Sequence, residues 1–197
     1  PNKEVQVLSN VIESKSLYIA KENALQSAIR IGRIFPNKLH KDYYGLQILN
    51  TVLGGYFGSR LMHNIREDKG YTYGIGSGIL SLKNSGYFFI STEVGSDVTK
   101  DALSEIYKEI ELLRTEEITK EELNLVKNYL LGQLLKSCDG PFNMGEMFEN
   151  VHEYGLDYSF YNNYITTIKE ITPKILLALG IKYFKKSDLT EIVAGKI

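Results

Sequence analysis

The chain has 197 residues, 43% of them hydrophobic and 24% charged, which is ordinary globular composition and enough length for one well-buried core in a single domain. Its 23 Lys and Arg against 24 Asp and Glu leave a formal net charge of -1, so no polyelectrolyte pull toward nucleic acid or anionic lipid is expected. The one cysteine, Cys138, cannot make an internal disulfide or a thiolate-rich zinc site by itself, and no apolar run approaches the ~20 residues of a membrane span.

Pro1 to Ser16 mixes charged and β-prone residues without a clear period and reads as a linker, so residues 1–16 are assigned to a leading segment and 17–197 to the domain. Pro1 in place of Met marks the chain as a piece of a longer polypeptide. From Leu17 to Phe35 the residues Leu17, Ile19, Ala24, Ile29, Ile31 and Ile34 recur at about every second position, the period of one or two strands with one buried face. Asp42 then precedes Tyr43, Leu46, Leu49, Val52 and Leu53, a three-and-four spacing that puts the apolar groups on one helical stripe until Gly54-Gly55.

A second helix is expected from about Gly58 to Asp68, with Gly70 as a left-handed terminator. Tyr71 to Leu82 and Gly86 to Val94 read as a strand pair joined through Lys83-Asn84-Ser85-Gly86. Beyond Val94 the period lengthens: Leu103, Ile106, Tyr107, Ile110 and Leu113 define a helix that Asp97 is placed to cap. Thr119 and Glu122 form a capping box, and Ile118 can staple to Leu123, opening a helix from Lys120 to about Ser137. Asp139-Gly140-Pro141 breaks it. Helices over 144–154 and 158–171 follow, joined through Gly155, and Thr172-Pro173 opens another with Thr at the cap and Pro at the first helical position.

Leu189 to Ala194 is short and β-prone and is expected to return to the early sheet. Because strands and helices are grouped, the fold class is α+β, with a mixed, largely antiparallel sheet covered on one face by helices.

The chemistry of a zinc hydrolase needs about three imidazole or carboxylate ligands, usually with paired histidines one helical turn apart. His63 and His152 begin neither H-x-x-E-H nor H-E-x-x-H, and His40 stands alone, so each reads as a structural histidine and no metal ligand is assigned in this chain. Gly54-Gly55-x-x-Gly58-Ser59 lacks the lysine of a P-loop, and Gly74-x-Gly76-x-Gly78 reads as thin residues where backbone packs close. Cys138 has no recognisable base nearby and reads as a buried or incidental thiol.

The informative stretch runs from Leu53 to Gly76. Leu53-Gly54-Gly55, Ser59-Arg60-Leu61, Ile65-Arg66-Glu67, Gly70 and Tyr73, in this order and spacing, closely resemble the signature of the second, non-zinc-ligand domain of pitrilysin/insulinase-like (inverzincin) zinc peptidases and of mitochondrial processing peptidases. Gln26, Gly86-Tyr87 and the helix at 120–137 extend the resemblance over most of the chain.

The resemblance implies a substrate-embracing half of a peptidase whose Zn²⁺ is held by a preceding domain of the same polypeptide or by a partner subunit, with no zinc bound here. It implies an extended peptide as substrate and is compatible with a homodimer. Its substrate-binding pair maps onto Arg66 and Tyr73, with no catalytic residue in this chain. A guanidinium and a phenolic O–H near the metal could hold a substrate carbonyl or the charge developing on it. Arg60 and Ser59 read as structural, anchoring the helix start against the glycine turn, and Glu67 and Asp68 as a solvated helix end. The competing implication is a catalytically inactive assembly domain, as in respiratory-complex core subunits.

Overall fold

The computed structural model describes residues 16–196. The linker expected over residues 1–16 lies outside the described residues apart from Ser16, where the first strand opens. Five strands are β1 (Ser16–Ala20), β2 (Gln26–Ile34), β3 (Ile75–Leu82), β4 (Ser85–Gly95) and β5 (Thr190–Gly195). Six α-helices are α1 (Tyr43–Asn50), α2 (Thr99–Thr115), α3 (Lys120–Ser137), α4 (Gly140–His152), α5 (Ser159–Glu170) and α6 (Pro173–Tyr183).

The strands form one sheet in the order β1-β5-β2-β4-β3. β1 runs parallel to β5, and every other pairing is antiparallel. This is the mixed, largely antiparallel α+β sheet expected from the grouped pattern. The two-residue period of the strands decides which face is covered. Ile29 and Ile31 of β2, Phe88 and Ile90 of β4 and Val193 of β5 are almost fully buried in one core with Leu46, Leu49, Ile106 and Leu176 from the helices. On the opposite face Ile34, Tyr87 and Ile192 are exposed. Each fully buried aliphatic or phenyl group contributes roughly 1.5–3 kcal/mol relative to exposure, so the sheet–helix layer dominates stability.

Local signals explain the helix boundaries that sequence placed correctly. Thr119 Oγ1 accepts from Glu122 N at 3.1 Å and Ile118 and Leu123 are both buried, so the cap and staple form, while the Glu122 carboxylate, which a full capping box would turn back to Thr119 N, bonds Arg60 instead. Thr172 Oγ1 accepts from Ile175 N ahead of Pro173. Gly70, Gly140 and Gly155 have positive φ, the conformation in which a Cβ is unfavourable.

Other boundaries moved. The helix after Gly58 starts at residue 60, and from Met62 to Asp68 it widens into π-helical turns, with Lys69 N donating to Asn64 O five residues back. α1 likewise continues through a π-helical turn over Thr51–Gly55. Asp97 makes no side-chain cap bond to α2; a short 3₁₀ turn, Ser96–Val98, intervenes, and Thr99 Oγ1 bonds Ser27 Oγ at 2.9 Å instead. α4 begins at Gly140 rather than Met144. β3 begins at Ile75 rather than Tyr71, because Thr72 ties the backbone into a local turn described below. Cys138 is exposed, not buried, with Sγ 3.7 Å from Met147 Sδ.

Candidate functional site

The motif from Leu53 to Gly76 folds as a helix end, a wide helix, a glycine turn and an irregular loop that feeds β3. Several long-range bonds hold this unit in place. Arg60 Nε and Nη2 each donate to a Glu122 carboxylate oxygen at 2.7 Å, a bidentate pair that fixes the start of the wide helix to the first turn of α3. Arg60 is therefore structural, as expected, although its partner is the next helix layer rather than the glycine turn. Asn64 Nδ2 donates to Glu105 Oε2 at 2.9 Å and to Glu109 Oε1 at 2.7 Å, anchoring the same helix to α2. The Asn64 bond, outweighing burial, holds the Glu105 carboxyl below its ordinary range, with help from Lys108 and Lys69.

Arg66 lies in the last turn of the wide helix. Its Nε donates to the backbone oxygen of Tyr73 at 2.9 Å, and its guanidinium lies over the Phe57 ring, 4.8 Å from the centroid. Arg66 and Tyr73 are thus brought together, but by a side chain gripping a carbonyl. Tyr73 itself is 94% exposed. It sits in the loop before β3, not on the strand where the alternating pattern placed it.

The loop takes its shape from Thr72. Its Oγ1 donates toward Gly74 O at 3.0 Å and Glu93 O at 2.7 Å and accepts from Gly74 N at 3.1 Å. Thr92 Oγ1 reaches both Thr72 Oγ1 and Gly74 O at 3.0 Å. A hydroxyl that satisfies backbone groups in this way competes with strand pairing, which is why the ladder starts late.

A polar concavity of about 340 Å³ lies beside this loop, lined by Gln26, Thr72, Tyr73, Gly74, Ser91 and Glu93 among others. Of the residues around the groove, the sequence singled out Arg66 and Tyr73 as a pair, and Gln26 only as part of the wider resemblance. Sequence reasoning missed Phe57, Thr72 and Asn64. An aromatic beside Gly58 was a weak signal for the first, while the other two act through partners far away in the chain.

The histidines do not converge. His63 Nδ1 lies 3.2 Å from Glu67 Oε2, which, with Asp68, raises the imidazole above its ordinary value. His40 Nδ1 accepts from Asp42 N at 3.1 Å, and His152 stacks on Phe148 with centroids 4.8 Å apart. Among the described residues no group of three or more His, Cys, Asp or Glu could hold a metal ion. No helix of the described residues is long and apolar enough to cross a membrane.

A sheet covered on one face by helices in this way has clear counterparts among known proteins. Residues 1–130 match the family described as the peptidase M16 inactive domain, and the chain belongs to that family. It is 34% identical over 100 residues to the uncharacterized zinc protease YmxG of Bacillus subtilis, covering 51% of this chain and 24% of that protein. It is 22% identical over 178 residues to the probable inactive metalloprotease YmfF of the same organism, covering 90% of this chain and 41% of that one. The chain therefore spans less than half the length of these curated relatives.

Among solved structures, the peptidase M16 inactive domain from Pseudomonas fluorescens aligns with a TM-score of 0.84 at 23% identity, over 93% of this chain and 44% of that one. A chain of Candida albicans complex III2 aligns with a TM-score of 0.71 at 17% identity, over 92% of this chain and 46% of that one. At these identities the structures show the shared fold alone.

Proposed function

We propose that this domain forms the substrate-embracing wall of a zinc-dependent peptidase, with the zinc ligands supplied by a preceding domain or a partner subunit. In this reading an extended peptide lies along the polar concavity, and Arg66 and Tyr73 are its substrate-binding residues. The observation that carries the reading is the Arg66 Nε bond to Tyr73 O, which fixes a nearly fully exposed tyrosine at the rim of that groove.

The chemistry follows from the groups offered. With Nε engaged, the outer guanidinium nitrogens and the Tyr73 phenol remain as donors for a peptide carbonyl or for the negative charge that develops on it during hydrolysis. The Tyr73 side chain is nearly fully exposed and its hydroxyl adds little to folding, so its removal separates function from stability.

In the complete protein, Tyr73→Phe is expected to lower peptide hydrolysis about 10²-fold, the loss typical of one donor to a developing oxyanion. Arg66→Ala is expected to lower it at least as much, since it also frees the Tyr73 backbone. Tyr73→Phe should keep the wild-type unfolding midpoint, while Arg66→Ala should lower it through the lost bond to Tyr73 O. Wild-type turnover in both removes the role given to the pair.

A second reading, a catalytically inactive assembly domain, is favoured by two likenesses: the relative named a probable inactive metalloprotease and the fold shared with a chain of complex III2. The two readings separate on whether the accompanying half carries H-x-x-E-H and whether mixing it with this chain yields peptidase activity.

A further inference from the structure

At the far end of β3 from Tyr73 lies a second cavity that the groove does not explain. Lys38 N donates to Ser81 Oγ at 3.1 Å near the end of that strand, so the eight residues of β3 separate the two places by roughly 25 Å. The cavity is about 320 Å³, and its lining includes Tyr43, Tyr44, Phe160, Tyr161, Tyr164 and Lys38. Such a volume is at the small end of ligand pockets, where one ring and its attachment fill the space.

Its walls are fixed by ring packing. Tyr44 stacks on Tyr164 with centroids 5.7 Å apart and 25° between planes, and tilts against Phe160 at 5.0 Å. Three of the hydroxyls are engaged: Tyr43 Oη accepts from Gln47 Nε2 and Tyr161 Oη donates to Met147 O, each at 2.7 Å, and the Tyr44 hydroxyl bonds the Asn163 side chain. What the lining presents is therefore mostly aromatic surface.

Lys38 is the cation of the cavity. Its Nζ donates to Asn150 O, in the last turn of α4, at 2.7 Å and lies 4.9 Å from the Tyr154 ring centroid. One of three ammonium donors is thereby satisfied. Glu153 acts on the charge through space without a hydrogen bond, and burial outweighs it, holding Lys38 below the usual lysine range. A half-buried ammonium without a bonded carboxylate, beside aromatic walls, is complementary to an anion that carries a ring.

We infer that this cavity binds the C-terminal residue of a peptide with an aromatic side chain, the ring against the aromatic lining that includes Tyr44 and Phe160 and the terminal carboxylate on Lys38. This site is independent of the Arg66–Tyr73 groove and needs no zinc-bearing half.

The test uses the 197-residue chain and three tripeptides: acetyl-Ala-Ala-Phe with a free carboxylate, its carboxamide, and acetyl-Ala-Ala-Ala. Calorimetry and amide NMR shifts should show the free acid binding about tenfold more tightly than the carboxamide, as a charge-assisted bond requires. The shifts should centre on residues 38, 44, 160 and 164, with the all-alanine peptide failing to bind. Lys38→Gln, which retains a donor for Asn150 O, should abolish the preference for the acid. Equal affinity for acid and amide, shifts centred elsewhere, or no binding at millimolar peptide overturns the proposal. The acid-to-amide comparison on the unaltered chain decides it even if the variant folds poorly.

Discussion

Asn64 was passed over in the sequence because nothing within four residues reveals its partners. Its amide reaches two carboxylates on α2, Glu105 and Glu109, and so decides where the helix bearing Arg66 rests. Removing it leaves Glu109, which is 7% exposed, without that donor. Asn64→Ala is expected to cost about 2 kcal/mol at neutral pH, the usual loss for hydrogen bonds to charged groups. Because Glu105 is held below its ordinary 4.5, its share of that stability is complete above pH 4.5 and disappears as pH falls through the folded-state value. The gap between wild type and variant in urea denaturation should therefore narrow from pH 7 to pH 3; a constant gap would show that the carboxylate charge plays no part.

Residues whose partners are local were read correctly. Thr119, with Glu122 three positions on, is such a case, and so is Thr172 before Pro173. Arg60 was recognised as structural, but its bidentate partner Glu122 lies 62 residues away and could not be named. Arg66 and Tyr73 were singled out by the resemblance of the Leu53–Gly76 stretch to a known family. That their link is a backbone carbonyl, with Phe57 beneath the guanidinium, is visible only once the chain is folded.

At the level of elements, the misplaced start of β3 has one cause. Alternation from Tyr71 onward suits a strand, yet Thr72 binds Glu93 O on β4, a tertiary contact that overrides the local pattern. The widening of the wide helix is equally hidden, since π turns leave no spacing signature distinct from an α-helix over seven residues.

Gly54 shows the opposite case, a sequence feature whose reason appears in the packing. A Cβ there would lie 2.6 Å from Ser77 Oγ and 2.7 Å from Ser77 N, so the helix end sits directly on the backbone of β3. Gly54→Ala should push the two apart and cost on the order of 2 kcal/mol, in the range of overpacking in a close-packed interior. Thermal unfolding would register it as a lowered midpoint, whereas an unchanged midpoint would mean that the junction yields freely. The same change should disturb the Tyr73 loop, which begins two residues before β3.

For the whole molecule, the fold class and most elements were legible because one continuous core is written in the apolar periods of its strands and helices. Strand order was only partly so. The return of the last strand to the early sheet followed from its β-prone composition, but its insertion between β1 and β2, with opposite senses to the two, depends on the handedness and layering of the intervening helices.

That insertion makes the final strand a keystone. Among the described residues β1 has no neighbour in the sheet other than β5, so deletion of residues 190–197 removes that pairing outright and uncovers one side of β2. The shortened chain should lose its single cooperative calorimetric transition, and retention of that transition would show that β2, β3 and β4 suffice with the helices.

The position of β5 also sets an order of events during synthesis. Within the described sheet β1 must wait for β5 to be made before it can pair, because the residues it pairs with, Glu191 to Gly195, are about 175 positions downstream. Until then the backbone of Ser16–Ala20 lacks its template in the described sheet, and its amide and carbonyl groups stay open to water for almost the whole time the domain is being translated.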